Sequence, residues 1–213
     1  MPIVQDYVEE KLLIEGPVGQ LELLITMQLG QTHQTWGVIC HPHPLFGGTM
    51  NNKVVTTLAK TFQEMGANTV RFNFRGVMKS EGTFDQGIGE CDDLLAVVSW
   101  LYRTYSPTHL WLAGFSFGGY IAAKGATKLP VDQLITVAPS VVNFPMQDLP
   151  PISCPWIVAQ GMADEIVSAE AVFAWAKARR PKPIILSFEG VGHFFHGSLS
   201  VLREAIQKAM LGH

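Results

Sequence analysis

Short apolar runs alternate with longer stretches of helical spacing along nearly the whole chain. Two runs, 7–15 and 20–28, flank Gly16-Pro17-Val18-Gly19 and predict an opening β-hairpin. The run Thr35–Cys40 predicts a strand that stops at His41-Pro42-His43-Pro44. Across 51–65, Val54, Val55, Leu58, Ala59 and Phe62 recur on one helical face until Gly66 ends the pattern. A strand over 69–74 and a helix over Gly89–Tyr105 follow, the helix with Leu94, Leu95, Val98 and Leu101 on one side. The strand at 109–114 runs directly into a helix over Phe117–Ala126. Strands over 133–138 and 155–160, a helix over 167–178, a strand over 183–188 and an amphipathic helix over 198–210 complete the series.

Apolar strands separated by helices predict an α/β fold, a mostly parallel central sheet with helices on both faces and the hairpin as an antiparallel start. Right-handed crossovers put the loops after the strands along one sheet edge, where open α/β sheets build their sites. The segments after Cys40, Gly114, Gln160 and Phe188 fall there. No repeat, low-complexity tract or charge block marks a linker, so 1–213 reads as a single domain.

Those four segments carry the candidate chemistry. Gly114-Phe115-Ser116-Phe117-Gly118 has the glycine spacing that lets a sharp strand-to-helix turn push a serine hydroxyl out at the end of the sheet. Alone the pattern is weak, and a serine capping a helix is the plainer reading; the flanking strand and helix sharpen it. A serine nucleophile needs a base. His193, in Glu189-Gly190-Val191-Gly192-His193, comes first after the last strand, with His196 as its rival. The base needs an acid, and Gly161-Met162-Ala163-Asp164-Glu165 supplies Asp164, with Glu165 beside it. Asp164 as a helix cap is the competing role, which Ser168 is equally able to fill. An oxyanion would take the Phe117 N–H and a second donor from 41–48. Pro42 and Pro44 have no N–H, which leaves His43, Leu45 or a later residue, with Leu45 chosen. His41 and His43 are good metal ligands, but no third ligand at zinc-like spacing accompanies them, and loop packing is their plainer role.

Composition narrows the classes. Hydrophobic residues make up 47% and charged residues 15%, which excludes a disordered chain. A net charge of −3 with scattered Lys and Arg gives no footprint for nucleic acid. No apolar run is long enough for a membrane span, and residues 1–6 carry no secretory pattern. Cys40, Cys91 and Cys154 are an odd number without a CxxC pair, so free thiols and a cytoplasmic location are expected. The expected partner is a small-molecule acyl substrate, the expected state a monomer or a homodimer paired through the hairpin edge, with no cofactor and no metal.

With these pieces in place, the sequence resembles the α/β-hydrolase superfamily over nearly its whole length. It looks most like a branch of small, lidless bacterial hydrolases related to dienelactone hydrolases and carboxylesterases. Three stretches carry the closer likeness: 41–50 (HPHPLFGGTM), 71–76 (RFNFRG) and Gly87-Ile88-Gly89-Glu90. The resemblance implies the α/β-hydrolase fold, a triad of Ser116, Asp164 and His193 in the family's chain order, and an oxyanion loop after His41. Segment 138–152 is too short for a lid domain. Dienelactone hydrolases use cysteine at the elbow where this chain has Ser116, which favours ordinary ester chemistry. Met78 stands where relatives tend to have glycine and would narrow the site mouth; Met162 replaces an acidic residue and would alter the loop that positions Asp164. Phe115, Phe117, Phe144 and Phe194 are candidates for an apolar wall or for core. The expectation is a serine hydrolase cleaving small carboxylic esters through an acyl-enzyme. The alternatives are amide, thioester or acyl-transfer chemistry with the same triad, or a non-catalytic binding protein of this fold, which an intact triad argues against.

Overall fold

The computed structural model describes residues 7–29 and 34–212; residues 1–6, where the reading of the N-terminal pattern falls, lie outside the described residues. The hairpin strands β1 (Tyr7–Gly16) and β2 (Gly19–Gln28) lead into β3 (Thr35–Cys40) and helix α1 (Lys53–Glu64). After β4 (Asn68–Phe72) come α2 (Gly89–Tyr105), β5 (His109–Phe115), α3 (Phe117–Ala126) and β6 (Gln133–Val137). The chain ends with β7 (Trp156–Gly161), α4 (Ala169–Ala178), β8 (Ile184–Phe188) and α5 (Leu199–Leu211). Between β6 and β7 there is only a short 3₁₀ turn at Met146–Asp148, so no lid covers the sheet edge.

The strands form one eight-stranded sheet in the order β1-β2-β4-β3-β5-β6-β7-β8. β1 pairs antiparallel with β2 and β2 with β4, while the strands from β4 to β8 are parallel. Their side chains alternate between two cores, as a period of two requires. Val38, Leu112, Leu134 and Val158 pack beneath α2, α3 and α4; Ile39, Ala113, Ile135 and Ile157 pack beneath α1 and α5. Both faces being covered explains why β4, β6 and β7 are buried along their whole length. The outer strand β1 is instead mostly exposed, and Glu9, Glu10 and Lys11 discourage further strand addition there.

This order has one consequence for function. The chain lays β4 on one side of β3 and then returns to lay β5 on the other, so the loops after β3 and β5 diverge from adjacent strands. Cys40 and Gly114 sit side by side at the carboxyl ends of those strands. Such a reversal leaves a crevice, and it is where α/β sheets place ligands. Among the described residues no helix is long and apolar enough to cross a membrane, and the three cysteines are unpaired.

Candidate active site

Strand β5 ends at Phe115 and α3 begins at Phe117, so Ser116 must turn the chain alone. It does so at φ 55° and ψ −117°, a conformation that costs a serine about 1–3 kcal/mol. Its backbone is held on both sides: its N–H donates to Val137 O at 2.9 Å, and its carbonyl accepts from Gly119 N–H at 2.9 Å. The neighbouring glycines answer to close packing and not to their own dihedral angles. A Cβ on Gly114 would collide with the Gly118 carbonyl, and one on Gly118 with the carbonyls of Cys40 and His41. Among the described residues, the Phe117 N–H donates to no protein acceptor, as expected at the first turn of a helix.

The loop after β8 buries His193 beside the loop after β7. His193 Nδ1 lies 2.9 Å from Asp164 Oδ2, with both side chains almost fully buried. An ionised carboxylate accepts, so Nδ1 carries the proton and Nε2 is left as the acceptor. Phe115 lies against the imidazole at 4.9 Å between centroids, and Phe194 meets it edge-on at 5.1 Å. His196 is exposed and tilts against Phe194 at 5.7 Å, away from any carboxylate partner. Glu165 accepts the backbone N–H of His193 at 3.4 Å, which ties the two loops together without touching the ring. No hydrogen bond joins Ser116 Oγ to His193 among the described residues; both line one cleft, and such contacts commonly tighten only with substrate bound.

Asp164 holds four donors. Oδ1 accepts from the N–H groups of Ile166 at 2.9 Å and Val167 at 2.7 Å; Oδ2 accepts from His193 and from Gln160 Nε2 at 2.9 Å. Burial alone would push this carboxyl up, but the bonds from His193, Val167 and Ile166 outweigh it and hold its pKa below the usual aspartate value. The cap of α4 is separate, since Ser168 Oγ accepts from Ala171 N–H at 3.2 Å. Gln160 was not singled out by the sequence reading. Its signal was a lone polar residue at the end of an apolar strand, which has to find partners once buried.

The loop after β3 departs from expectation. The Leu45 N–H, chosen as second oxyanion donor, is spent on His43 Nδ1 at 3.2 Å, and Leu45 is 68% exposed. The N–H groups of Phe46 and Gly48 both donate to His43 O at 3.1 Å. The His43 N–H, in contrast, meets no protein acceptor among the described residues. The 71–76 stretch serves this loop. His41 is fully buried, its Nδ1–H donating to Pro42 O at 2.6 Å and its Nε2 accepting the Phe74 N–H at 3.0 Å. Arg71 donates to Met50 O at 2.8 Å, Asn73 Oδ1 accepts from Met50 N–H at 2.9 Å, and Arg75 grips Asp93 through Nη2 at 2.7 Å. With both nitrogens of His41 engaged, it has no lone pair for a metal; no cluster of three or more metal-ligating side chains exists among the described residues.

Ser116 and His193 open onto a cleft of about 400 Å³ bounded by the His43–Gly48 turn, Asn52, Ile166 and Phe194. Its apolar wall comes from Phe46, Ile166 and Phe194, which are 86%, 53% and 39% exposed. Of the four phenylalanines considered for that wall, only Phe194 lines it. Phe115 and Phe117 are core, and Phe144 stacks on Tyr120 at 5.2 Å. Neither Met78 nor Met162 lines the cleft. Met78 instead adopts φ 51°, a left-handed position that glycine occupies more easily.

Residues 20–149 match the family model described as X-Pro dipeptidyl-peptidase (S15 family), a span that includes Ser116 and ends before Asp164 and His193. An α/β serine hydrolase homologue from Coxiella burnetii is 51% identical, with a TM-score of 0.89 over 93% of this chain and 96% of that one. A lidless α/β serine hydrolase from Xanthomonas campestris is 39% identical, with a TM-score of 0.90 over 94% and 93%. An uncharacterized protein of Rickettsia prowazekii is 35% identical over 168 residues, 76% of this chain and 70% of that protein. Sequence and fold agree with the strained serine turn that the chain belongs to the X-Pro dipeptidyl-peptidase (S15) family, within the small lidless serine-hydrolase branch of the α/β-hydrolase superfamily.

Proposed function

We propose that the protein cleaves small carboxylic esters, with Ser116 as nucleophile, His193 as base and Asp164 as the acid that orients it. The observation that carries this reading is the 2.9 Å bond from His193 Nδ1 to Asp164 Oδ2, beside a serine held at φ 55°. Asp164 fixes the tautomer and leaves Nε2 to take the Ser116 proton as Oγ attacks the ester carbonyl. The N–H groups of Phe117 and His43, which donate to no acceptor among the described residues, receive the charge that collects on the carbonyl oxygen. The alcohol leaves with the proton from Nε2, and the acyl group stays on Oγ. Water, deprotonated by the same nitrogen, attacks the acyl carbon; the acid leaves and Oγ regains its proton. Asp164 stays ionised throughout, which stabilises the imidazolium as it forms.

The family description raises a second reading, removal of an X-Pro dipeptide from a peptide's amino end. A protonated terminal amine would want a carboxylate in the cleft, and none of the described residues lining it is acidic. Esters, which bring no such charge, suit these walls better. With no paired cysteine among the described residues, the cytoplasm is the compartment we infer.

The test is labelling with a fluorophosphonate probe beside turnover of short-chain p-nitrophenyl esters, the matching thioesters and an X-Pro p-nitroanilide. Wild type is expected to label and to prefer the oxygen esters; Ser116→Ala is expected to lose labelling and about 10⁶-fold in kcat. Failure of folded wild type to label overturns the triad, and faster turnover of the anilide overturns the ester assignment.

A further inference from the structure

Gln160 sits at the penultimate position of β7, fully buried, one strand away from the serine's own neighbour β6. Its amide nitrogen donates to Asp164 Oδ2 at 2.9 Å and lies 3.1 Å from Gly161 O and 3.3 Å from Val167 O. Three oxygens surrounding one end of the amide settle which end it is. A flipped side chain would set Oε1 against all three, so the nitrogen must face Asp164. The opposite end is anomalous: Gln160 Oε1 is buried and has no partner among the described residues. An unpaired buried acceptor destabilises a fold, and an apolar residue of similar shape would remove that burden. The donor end, in contrast, is fully used, bridging the Asp164 carboxylate and the backbone carbonyls of Gly161 and Val167.

The two oxygens of Asp164 are held differently. Oδ1 is fastened by the backbone N–H groups of Ile166 and Val167, which belong to its own loop. Among the described residues, Oδ2 is met by two side chains, Gln160 from the rigid end of β7 and His193 from the loop after β8. Gln160 is thus the only contact that ties the base-facing oxygen to the sheet among the described hydrogen bonds. Accordingly, we propose that Gln160 is a positioning residue, which fixes Asp164 Oδ2 in line with His193 Nδ1 and tempers the charge that the imidazole faces. This rests on the triad reading given above.

Two other titratable groups face the pair: Glu165, whose Oε2 accepts the His193 backbone N–H, and His196, which lies beyond Phe194. Neither makes a hydrogen bond to Asp164 among the described residues, so substitutions at Gln160 act on the Asp164–His193 pair itself.

The experiment measures fluorophosphonate labelling rate against pH, with thermal melts, for wild type, Gln160→Met and Gln160→Glu. Methionine keeps the length and removes the stranded acceptor, but it also takes a donor from Asp164 Oδ2, Gly161 O and Val167 O, so its melting temperature is expected to fall modestly. Its labelling rate at neutral pH is expected to fall about ten- to a hundredfold, the range for losing a hydrogen bond to a charged group. With Oδ2 no longer tempered by the amide, the imidazolium is better stabilised, so the acid limb of the profile should move to higher pH. Glutamate preserves the shape; buried 2.9 Å from an ionised carboxylate, its own carboxyl stays protonated and donates to Oδ2 in the amide's place, so its rate and acid limb should stay near those of wild type.

A Gln160→Met protein that labels like wild type, with an unshifted acid limb, overturns the proposal. So does a rate loss in Gln160→Met that tracks a lowered melting temperature while the profile stays in place, since that is a structural role alone. If Gln160→Met does not fold, Gln160→Leu, which also lacks the donor, is read in its place by the same criterion. Absence of labelling in folded wild type has a separate meaning: it removes the triad reading itself, and this proposal with it.

Discussion

Lowering the pH from about 7 to about 4.5 is expected to loosen the segment after β3, because His41 has no place for a second ring proton. The neutral ring satisfies both of its contacts, Nδ1–H to Pro42 O and Phe74 N–H to Nε2. A proton on Nε2 would confront that N–H inside a fully buried site. Burial accordingly pushes the His41 pKa from 6.5 down to about 4, against the opposing pull of its bond to Pro42 O. Once unfolded, the same ring takes its proton near 6.5, so between pH 6.5 and about 4 the unfolded chain binds more protons. Stability is therefore whole above that window and falls as pH drops through it. A gap of about 2.5 units at 1.36 kcal/mol each gives roughly 3 kcal/mol for the full window. Asp164 acts elsewhere: its depressed pKa adds stability that is present above the unfolded value of 3.8 and lost only as pH falls below it, through the folded value. His43, lowered by burial but only half-buried, pulls in the same direction as His41. Urea unfolding of wild type and His41→Asn at several pH values separates these effects. Asparagine keeps a donor in the place of Nδ1–H and cannot titrate, while the orphaned Phe74 N–H lowers its stability at pH 7 by about 1–3 kcal/mol. Wild type should lose roughly 2–3 kcal/mol between pH 7 and 4.5, and the variant far less. Parallel pH dependences for the two proteins would show that His41 does not carry the effect.

Three further outcomes are expected. Gly118→Ala should lower stability by about 1–3 kcal/mol or more, because its Cβ meets the fixed carbonyls of Cys40 and His41 and no flexible side chain; an unchanged thermal melt refutes this. Met78→Gly should raise the melting temperature by about 2–4 °C, since Met78 is 72% exposed, gains little by packing and holds φ 51°; a lower melting temperature would mean that the side chain contributes more than the strain costs. His43→Pro removes the N–H assigned to the oxyanion, at a residue whose φ of −54° and ψ of 123° suit proline, whereas His43→Ala keeps that N–H. The proline variant should turn over esters about 10²–10³-fold more slowly than the alanine variant at similar melting temperature, and equal kcat values would dismiss His43 as a donor.

Element types and their order were legible because each rests on local periodicity that burial then enforces. The differences lie at ends, where a tertiary contact takes a residue from its element. The strand expected over 69–74 closes at Phe72, because Asn73 leaves the ladder to bond Met50 and Glu22, and Phe74 turns its N–H to His41. The helix expected from 167 begins at Ala169, since Val167 N–H goes to the Asp164 carboxylate and Ser168 caps the helix. Both deviations fall next to the cleft loops, where backbone groups are diverted from regular structure to brace a side chain. Pairing order, in contrast, left no periodic signal, and the placement of β3 between β4 and β5 emerges only from the sheet as a whole.

The candidate site was legible where chemistry restricts residue type at a chain position, and opaque where it depends on which N–H remains unspent. A strained turn demands its glycines, and a carboxylate facing an imidazole demands loops at adjacent strand ends, so composition and spacing nominate Ser116, Asp164 and His193 as the candidates that the fold brings to one cleft. The second oxyanion donor could not. Prolines eliminate Pro42 and Pro44, but choosing between His43 and Leu45 requires knowing that the His43 ring folds back to accept the Leu45 N–H. The RFNFRG stretch presents the converse case. It was conspicuous as a likeness and unexplained as chemistry, because none of its residues lines the cleft. Its polar side chains act one layer further out. Arg71 and Asn73 fasten Met50, Phe74 donates to His41, and Arg75 anchors the segment after β4 to α2 through Asp93. A loop carrying two prolines and an exposed Phe46 has little apolar burial of its own to hold it still. Preorganised donors require a rigid loop, and here rigidity is supplied by buried hydrogen bonds from the neighbouring strand.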